Sequence, residues 1–230
     1  MPQCKPGPMN VSEAVQIRRS IRAFLPDPVP LDVLRDALEL AARAPSGGNL
    51  QPWRIHLLVG EALQRFRERM NQRQELGGFD PIEYAVYPPN LHEPYRTQRF
   101  RVGEALYATL GIERADKPGR LRQFARNYDF FGAPVGLFCF IDRRMGPPQW
   151  SDLGMYLQTF MLLLCERGVA SCAQEAWSVF GATISEFVGA APEQMLFCGM
   201  AIGYPDTDAP VNRLVTERAP FDAFAHIHER

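Results

Sequence analysis

The sequence lacks most of the patterns that advertise a chemistry. No HExxH, GxGxxG, GxxxxGK(S/T) or GxSxG occurs in its 230 residues, so the usual metalloprotease, dinucleotide-fold, P-loop and hydrolase signatures are absent. It lacks net charge: 25 basic and 26 acidic residues leave a formal charge of -1. There is no global positive field to hold DNA or RNA, which predicts a small-molecule partner. There is no CxxC pair. The five cysteines, Cys4, Cys139, Cys165, Cys172 and Cys198, are odd in number, irregularly spaced and mostly set in apolar surroundings such as Leu137-Phe138-Cys139-Phe140. They read as reduced thiols used as small core residues. No apolar run nears the length of a membrane span, and Met1-Pro2-Gln3-Cys4-Lys5-Pro6 has no apolar core of a secretory signal. These absences predict a cytoplasmic protein with no membrane partner. The four histidines are scattered, and His226 and His228 read as surface residues of the tail, so no metal is expected. No nucleophile is spaced with a base, and an enzyme built this way depends on a cofactor.

What is present is 46% hydrophobic composition, enough for a packed core, and one dense cationic stretch. Arg18-Arg19-Ser20-Ile21-Arg22 places three guanidinium groups and a hydroxyl within five residues. Arginine keeps its proton and presents a planar fork of donors, so the cluster suits a phosphate or a carboxylate. Asn10 and Glu13 form a capping arrangement that opens a short helix, with Val11, Ala14, Val15 and Ile17 as its inward face. The arginines then stand at the C-terminal end of that helix, where the dipole repels anions. Side chains, not a dipole, must hold the ligand.

Pro26 to Pro30 break the backbone, and Leu31 to Arg43 reads as an amphipathic helix with Leu31, Leu34, Leu38 and Ala41 on one stripe. The loop Pro45-Ser46-Gly47-Gly48-Asn49-Leu50-Gln51-Pro52-Trp53 offers two glycines for close backbone approach, with Ser46, Asn49 and Gln51 able to pair with ring heteroatoms; as an isolated motif it reads equally as a plain turn. Residues 54–59 alternate as a strand, and Glu61 to Gln74 reads as a polar surface helix. The stretch at about 76–119 is irregular, rich in Pro, Tyr and Arg, with one helical piece near Phe100 to Leu110. It reads as a functional excursion of a single domain spanning 1–230. Val135 to Ile141 and Leu196 to Ile202 are buried strands. Asp152 is placed to cap a helix running to Arg167, apolar nearly all round and so buried on every side, in the core or between subunits.

Arg18-Arg19-Ser20-x-Arg22-x-Phe24, then Pro45-Ser46-x-x-Asn49-x-Gln51-Pro52-Trp53, a turn from Gly168 to Glu175 and a tail from Gly203-Tyr204-Pro205 to Arg218 follow in the order of the FMN-dependent nitroreductase family, which the chain resembles from about Asn10 to Phe224. Phe130-Phe131-Gly132-Ala133-Pro134 and Asp152 to Gln158 are most similar to its nitrobenzoate-reductase-like branch, with Ala173 where that branch has a proline. The resemblance implies an α+β, three-layer fold whose central mixed, mainly antiparallel sheet is flanked by helices. It implies an intertwined homodimer with FMN at each subunit interface. It also implies a ping-pong oxidoreductase that passes hydride from NADH or NADPH through the flavin to nitroaromatic or quinone acceptors. By position, Arg18, Ser20 and Arg22 correspond to phosphate and ribityl contacts, with Arg19 beside them and Arg218 returning from the tail. Pro45, Ser46 and Asn49 would reach the flavin from the other subunit. Ala173, Gln174 and Glu175 would lie along the isoalloxazine near N5, which carries the chemistry in place of a catalytic side chain, and Asn127 would stand at the pyrimidine end. Two other readings are a different reduction on the same flavin fold, such as dehalogenation or enone reduction, and a flavin-binding protein without turnover.

Overall fold

The computed structural model describes residues 9–229. Four strands, β1 (Arg54–Val59), β2 (Val135–Asp142), β3 (Ala170–Gln174) and β4 (Gln194–Gly203), form one sheet in the order β1-β2-β4-β3, each neighbour antiparallel. A parallel contact enters where Ser20 bridges Ser171 at the outer edge of β3. β2 is buried along all but its last residue because both faces of the sheet are covered, which is why it reads as a continuous apolar run and not as an alternation.

The helices are α1 (Val11–Ile17), α2 (Leu31–Ala41), α3 (Gly60–Glu75), α4 (Tyr95–Thr109), α5 (Lys117–Ala125), α6 (Pro147–Glu166) and α7 (Gly181–Val188). α2 and α6 cover one face, packing Leu34, Ala37, Leu153 and Phe160 on Leu137, Cys139, Met200 and Ile202. α3, α7 and the 3-10 turns at 126–132 and 175–180 cover the other, with Phe66, Phe130, Phe138, Trp177 and Ile184 at its centre. This is an α+β arrangement of three layers. Trp177 lies so close to β4 that a Cβ built on Gly199 would fall 2.2 Å from its Cδ1, so the strand needs glycine at that point.

Several local expectations are corrected. The capping box at α1 is present, with Asn10 Oδ1 accepting from Glu13 N at 3.0 Å and Glu13 accepting from Asn10 N at 2.9 Å. Of the expected inward face only Ala14 is buried, whereas Val11 is 73% and Val15 53% exposed. Asp152 is no cap: α6 begins five residues earlier at Pro147, a residue tolerated in a first turn whose N–H has no helical partner. α6 buries Leu153, Tyr156, Leu157, Phe160 and Leu164 but leaves Gly154 and Met155 exposed, so it is not covered all round by its own chain. The expected turn from Gly168 to Glu175 is largely strand β3. The stretch read as irregular contains all of α4 and the start of α5. Cys139, Cys172 and Cys198 are buried free thiols, but Cys165 is disulfide-bonded, so the reduced state expected for all five does not hold there.

Candidate active site

The segment after α1 is extended and clips to the edge of the sheet. Ser20 bridges Ser171, Ile21 N donates to the Ser171 carbonyl at 3.1 Å, and Leu25 N donates to the Tyr204 carbonyl at 2.9 Å. Asn212 pins it from behind: its Oδ1 accepts from Arg22 N at 2.7 Å, and its Nδ2 donates to the carbonyls of Ala23 and Asp206, both at 2.8 Å. Side chains alternate along an extended chain, so Ile21 and Ala23 turn into the core while Arg18, Ser20 and Arg22 share the opposite face.

Electrostatics place these groups around one point. Partial burial holds the Arg18 guanidinium below its usual range, and the positive charge of Arg218 pushes the same way, with Cys172 opposing. Burial raises the Cys172 thiol, against the pull of Arg22, a hydrogen bond from Ser20, and Arg18. Arg218, arriving from the tail, bonds Thr216 and the Glu217 carbonyl and no carboxylate. None of Arg18, Arg22 and Arg218 has an ion-pair partner among the described residues. Three gathered guanidinium groups, with Arg18 depressed by burial and by Arg218, lack a carboxylate partner among the described residues, and a dianionic phosphate answers that need.

From this cluster β3 leads away with its outer edge open. Backbone groups of one strand residue point the same way and alternate along the strand. Ser171 presents its carbonyl outward to Ile21, so Ala173 and Glu175 also face outward, and beyond the Ser20 bridge no strand among the described residues covers them. The result is a row of backbone N–H groups with a cationic cluster at one end.

The loop at 45–53 is elsewhere. Gly47 N donates to both Asp152 carboxylate oxygens at 3.2 and 3.3 Å, the Ser46 hydroxyl accepts from Gln51 N at 3.0 Å, and Trp53 stacks on Tyr156 with centroids 4.7 Å apart. Asn49 and Gln51 take positive φ, 55° and 49°. These contacts fix Pro45, Ser46 and Asn49 to the N-terminal half of α6. Arg18 lies at its other end, where it lines a cavity of about 280 Å³ with Met161 and Cys165. Asp152 and Cys165 are thirteen positions apart, or about 20 Å along a helix. Within one chain the loop and the arginines do not meet.

The model of the nitroreductase family matches residues 15–204. The chain belongs to the nitroreductase family. It is 37% identical over 212 residues to 4-nitrobenzoate reductase of Pseudomonas putida, covering 92% of each. It is 49% identical to the FMN- and NADPH-dependent nitroreductase NfnB of Sphigopyxis sp. strain HMH, covering 96% of this chain and 100% of that one with a TM-score of 0.93. NfnB of Mycobacterium smegmatis, solved in complex with NADPH, is 28% identical over the same shares with a TM-score of 0.89.

At the far end of β3 the nitroreductase chain carries a network its sequence does not reveal. The buried Gln174 donates through Nε2 to the Asn127 carbonyl at 2.9 Å and Oδ1 at 3.2 Å, while its Oε1 accepts from Trp177 Nε1 at 3.2 Å. Gln174 therefore secures Asn127 beside the strand end. Glu175 is exposed as a residue, and its carboxyl accepts from the Tyr84 hydroxyl at 2.8 Å. Loss of solvent raises that carboxyl above the usual range, and the Tyr84 bond opposes the rise. The Tyr84 hydroxyl also meets the Phe197 carbonyl, and its ring sits edge-on to Trp150 at 5.2 Å. Tyr84 and Asn212 were not singled out from sequence, and Asp152 was read only as a helix cap, since each acts on a residue about a hundred or more positions away.

Proposed function

We propose that the chain is an FMN-dependent oxidoreductase that takes electrons from a nicotinamide donor, NADH or NADPH, and reduces nitroaromatic acceptors, with quinones as a second acceptor class. The observation that carries this reading is the counter-ion-free group of Arg18, Arg22 and Arg218 at the head of an open strand edge, in a nitroreductase fold. The donor set fits the group: guanidinium forks and the Ser20 hydroxyl suit a phosphate and ribityl chain, with Arg19 alongside. The outward backbone of Ala173 and Glu175 suits the heteroatom edge of a flat ring, with Gln174 and Asn127 at its far end.

When bound, FMN accepts two electrons from the donor and delivers them to the acceptor. The protein binds and orients. The arginines neutralise the phosphate, the β3 edge offers N–H donors that favour negative charge on the ring, and Tyr84 holds the Glu175 side chain away from the ring edge. A ring held by its edge along β3 with a single open face would oblige donor and acceptor to take turns there, which is a ping-pong scheme.

The site belongs to a homodimer. In one chain Pro45, Ser46 and Asn49 lie about 20 Å from the arginines along α6. A two-fold partner running its own α6 antiparallel brings its loop to the arginine end and covers the exposed Met155, Val11 and Val15. No helix among the described residues is long and apolar enough to cross a membrane, and we place the protein in the cytoplasm, with its nicotinamide donor. We treat residues 1–230 as one domain. The test is direct: the purified protein should be yellow, elute as a dimer and oxidise NAD(P)H in the presence of 4-nitrobenzoate. A colourless protein that does not take up added FMN sinks the proposal.

A further inference from the structure

Between α4 and the tail from Leu214 to Phe224 lies a cleft of about 1400 Å³. Its α4 wall carries Tyr95, Arg99, Phe100 and Arg101, and its tail wall Arg218 and Phe224. One end of the cleft is the phosphate end of the flavin site, because Arg218 both lines it and acts on Arg18. The acid on the α4 wall is already neutralised: Glu104 takes a two-pronged pair from Arg120 at 2.6 and 2.9 Å. Arg99 and Arg101 have no carboxylate partner among the described residues. Arg99 lies over the Tyr87 ring at 4.1 Å and lines the cleft. Glu217 on the tail wall stands against Arg99, Arg101 and Arg218, so the cleft is net cationic, partly aromatic and far larger than a one-ring acceptor requires.

We propose that this cleft receives the adenosine 2′-phosphate end of NADPH, with Arg99 and Arg101 as the residues that favour the phosphorylated donor over NADH. A dianionic phosphate is the group that paired guanidinium forks recognise best, and the Tyr95, Phe100 and Phe224 rings offer flat faces to an adenine. A benzoate acceptor carries one charge and one ring, and its carboxylate would leave most of the cleft empty. The inference rests on the flavin reading and fails separately from it.

The test uses FMN-loaded full-length protein, Arg101→Ala, and Arg99→Ala/Arg101→Ala. Both residues are exposed on α4, so neither change opens a core. Wild type should prefer NADPH by kcat/KM and bind 2′,5′-ADP more tightly than 5′-AMP by calorimetry. The double variant should lose about tenfold or more of that preference, through the NADPH KM alone, because each charged hydrogen bond lost is worth at least that factor. NADH kinetics, FMN content and the KM for 4-nitrobenzoate should stay as in wild type. A wild type without preference, a variant ratio within twofold of wild type, or an effect on the nitrobenzoate KM instead overturns the proposal. A protein that never holds FMN refutes the flavin reading, while 2′,5′-ADP binding still reports on the cleft.

Discussion

Arg18→Ala isolates the anion site from the fold. Arg18 keeps its structural role through its backbone N–H, which closes α1 on the Ala14 carbonyl at 3.0 Å, and this bond survives the substitution. What is lost is one guanidinium facing the proposed phosphate. A hydrogen bond to a charged group is worth about 1.5–3 kcal/mol; taking about 2 kcal/mol, FMN affinity should fall roughly thirtyfold. The flavin-free protein should behave in the opposite sense. Arg18 is depressed by burial and by Arg218, so removing it relieves a repulsion between unpaired cations and should leave the unliganded melting temperature unchanged or slightly higher. With FMN well above its Kd, the weaker binding removes about 2 kcal/mol of ligand stabilisation, so the liganded melting temperature should drop. Calorimetric titration at two salt concentrations, with melting curves with and without FMN, reads both signs, and the variant should show the shallower salt dependence. Arg18→Lys, a point charge without the fork, should fall between the two. FMN affinity within threefold of wild type, or an equal fall in both melting temperatures, would refute the argument by making Arg18 a structural residue.

Three further substitutions test the supports of the site. Gly199→Ala places a Cβ 2.2 Å from Trp177 Cδ1 in a closed core, and should destabilise by about 1–3 kcal/mol or more in denaturant unfolding. Asp152→Ala leaves Gly47 N without its acceptor at a site where Asp152 is 4% exposed; a loss of about 1–3 kcal/mol and faster proteolysis within 45–53 are expected. Glu175→Gln tests the carboxyl held by Tyr84. Its folded pKa is raised, so the native state binds the proton more tightly than the unfolded chain, and its stabilising contribution is full below about pH 4.5 and lost as pH rises. Wild-type melting temperature minus that of the variant should therefore decline from pH 4 upward, and a flat difference counts against the assignment.

Legibility in the sequence followed the range of the interaction. The capping box of α1, the alternation of β1 and the apolar run of β2 are local patterns whose physical causes lie within a few residues, and they were readable. α4 was only partly found, because none of its residues is buried and so there is no apolar stripe to give it a period. α6 was started five residues late because Asp152 is a cap-forming residue type, while its real partner is Gly47, 105 positions away. The arginine cluster was visible as charge density, but its geometry depends on Asn212, 190 positions from Arg22, which no spacing connects to it. The family resemblance supplied the cofactor; burial and charge supplied the reason the residues suit it.

The most consequential difference concerns residues 168–175, expected as a turn and found as edge strand β3. An exposed strand edge invites pairing with another chain, and proteins ordinarily block or cover it. Here Ser20 covers only Ser171, and the outward N–H of Ala173 lies in the open part. A flat ligand with acceptor atoms along one side would occupy that edge without adding a strand. The arrangement also makes a comparison possible at two adjacent residues. Cys172 points its backbone into the ladder with β4, opposite Ala201, whereas Ala173 points away from it. Proline removes the N–H in either place. Cys172→Pro should break a ladder bond and pack a ring into a fully buried position, so the protein should not fold. Ala173→Pro loses no ladder bond and should fold, at a cost set by the proline φ in an extended strand. Ala173→Pro removes one outward donor of the proposed ring contact, so FMN binding should weaken while the fold persists. If Ala173→Pro unfolds as readily as Cys172→Pro, the N–H of Ala173 is in the ladder and the strand faces the other way.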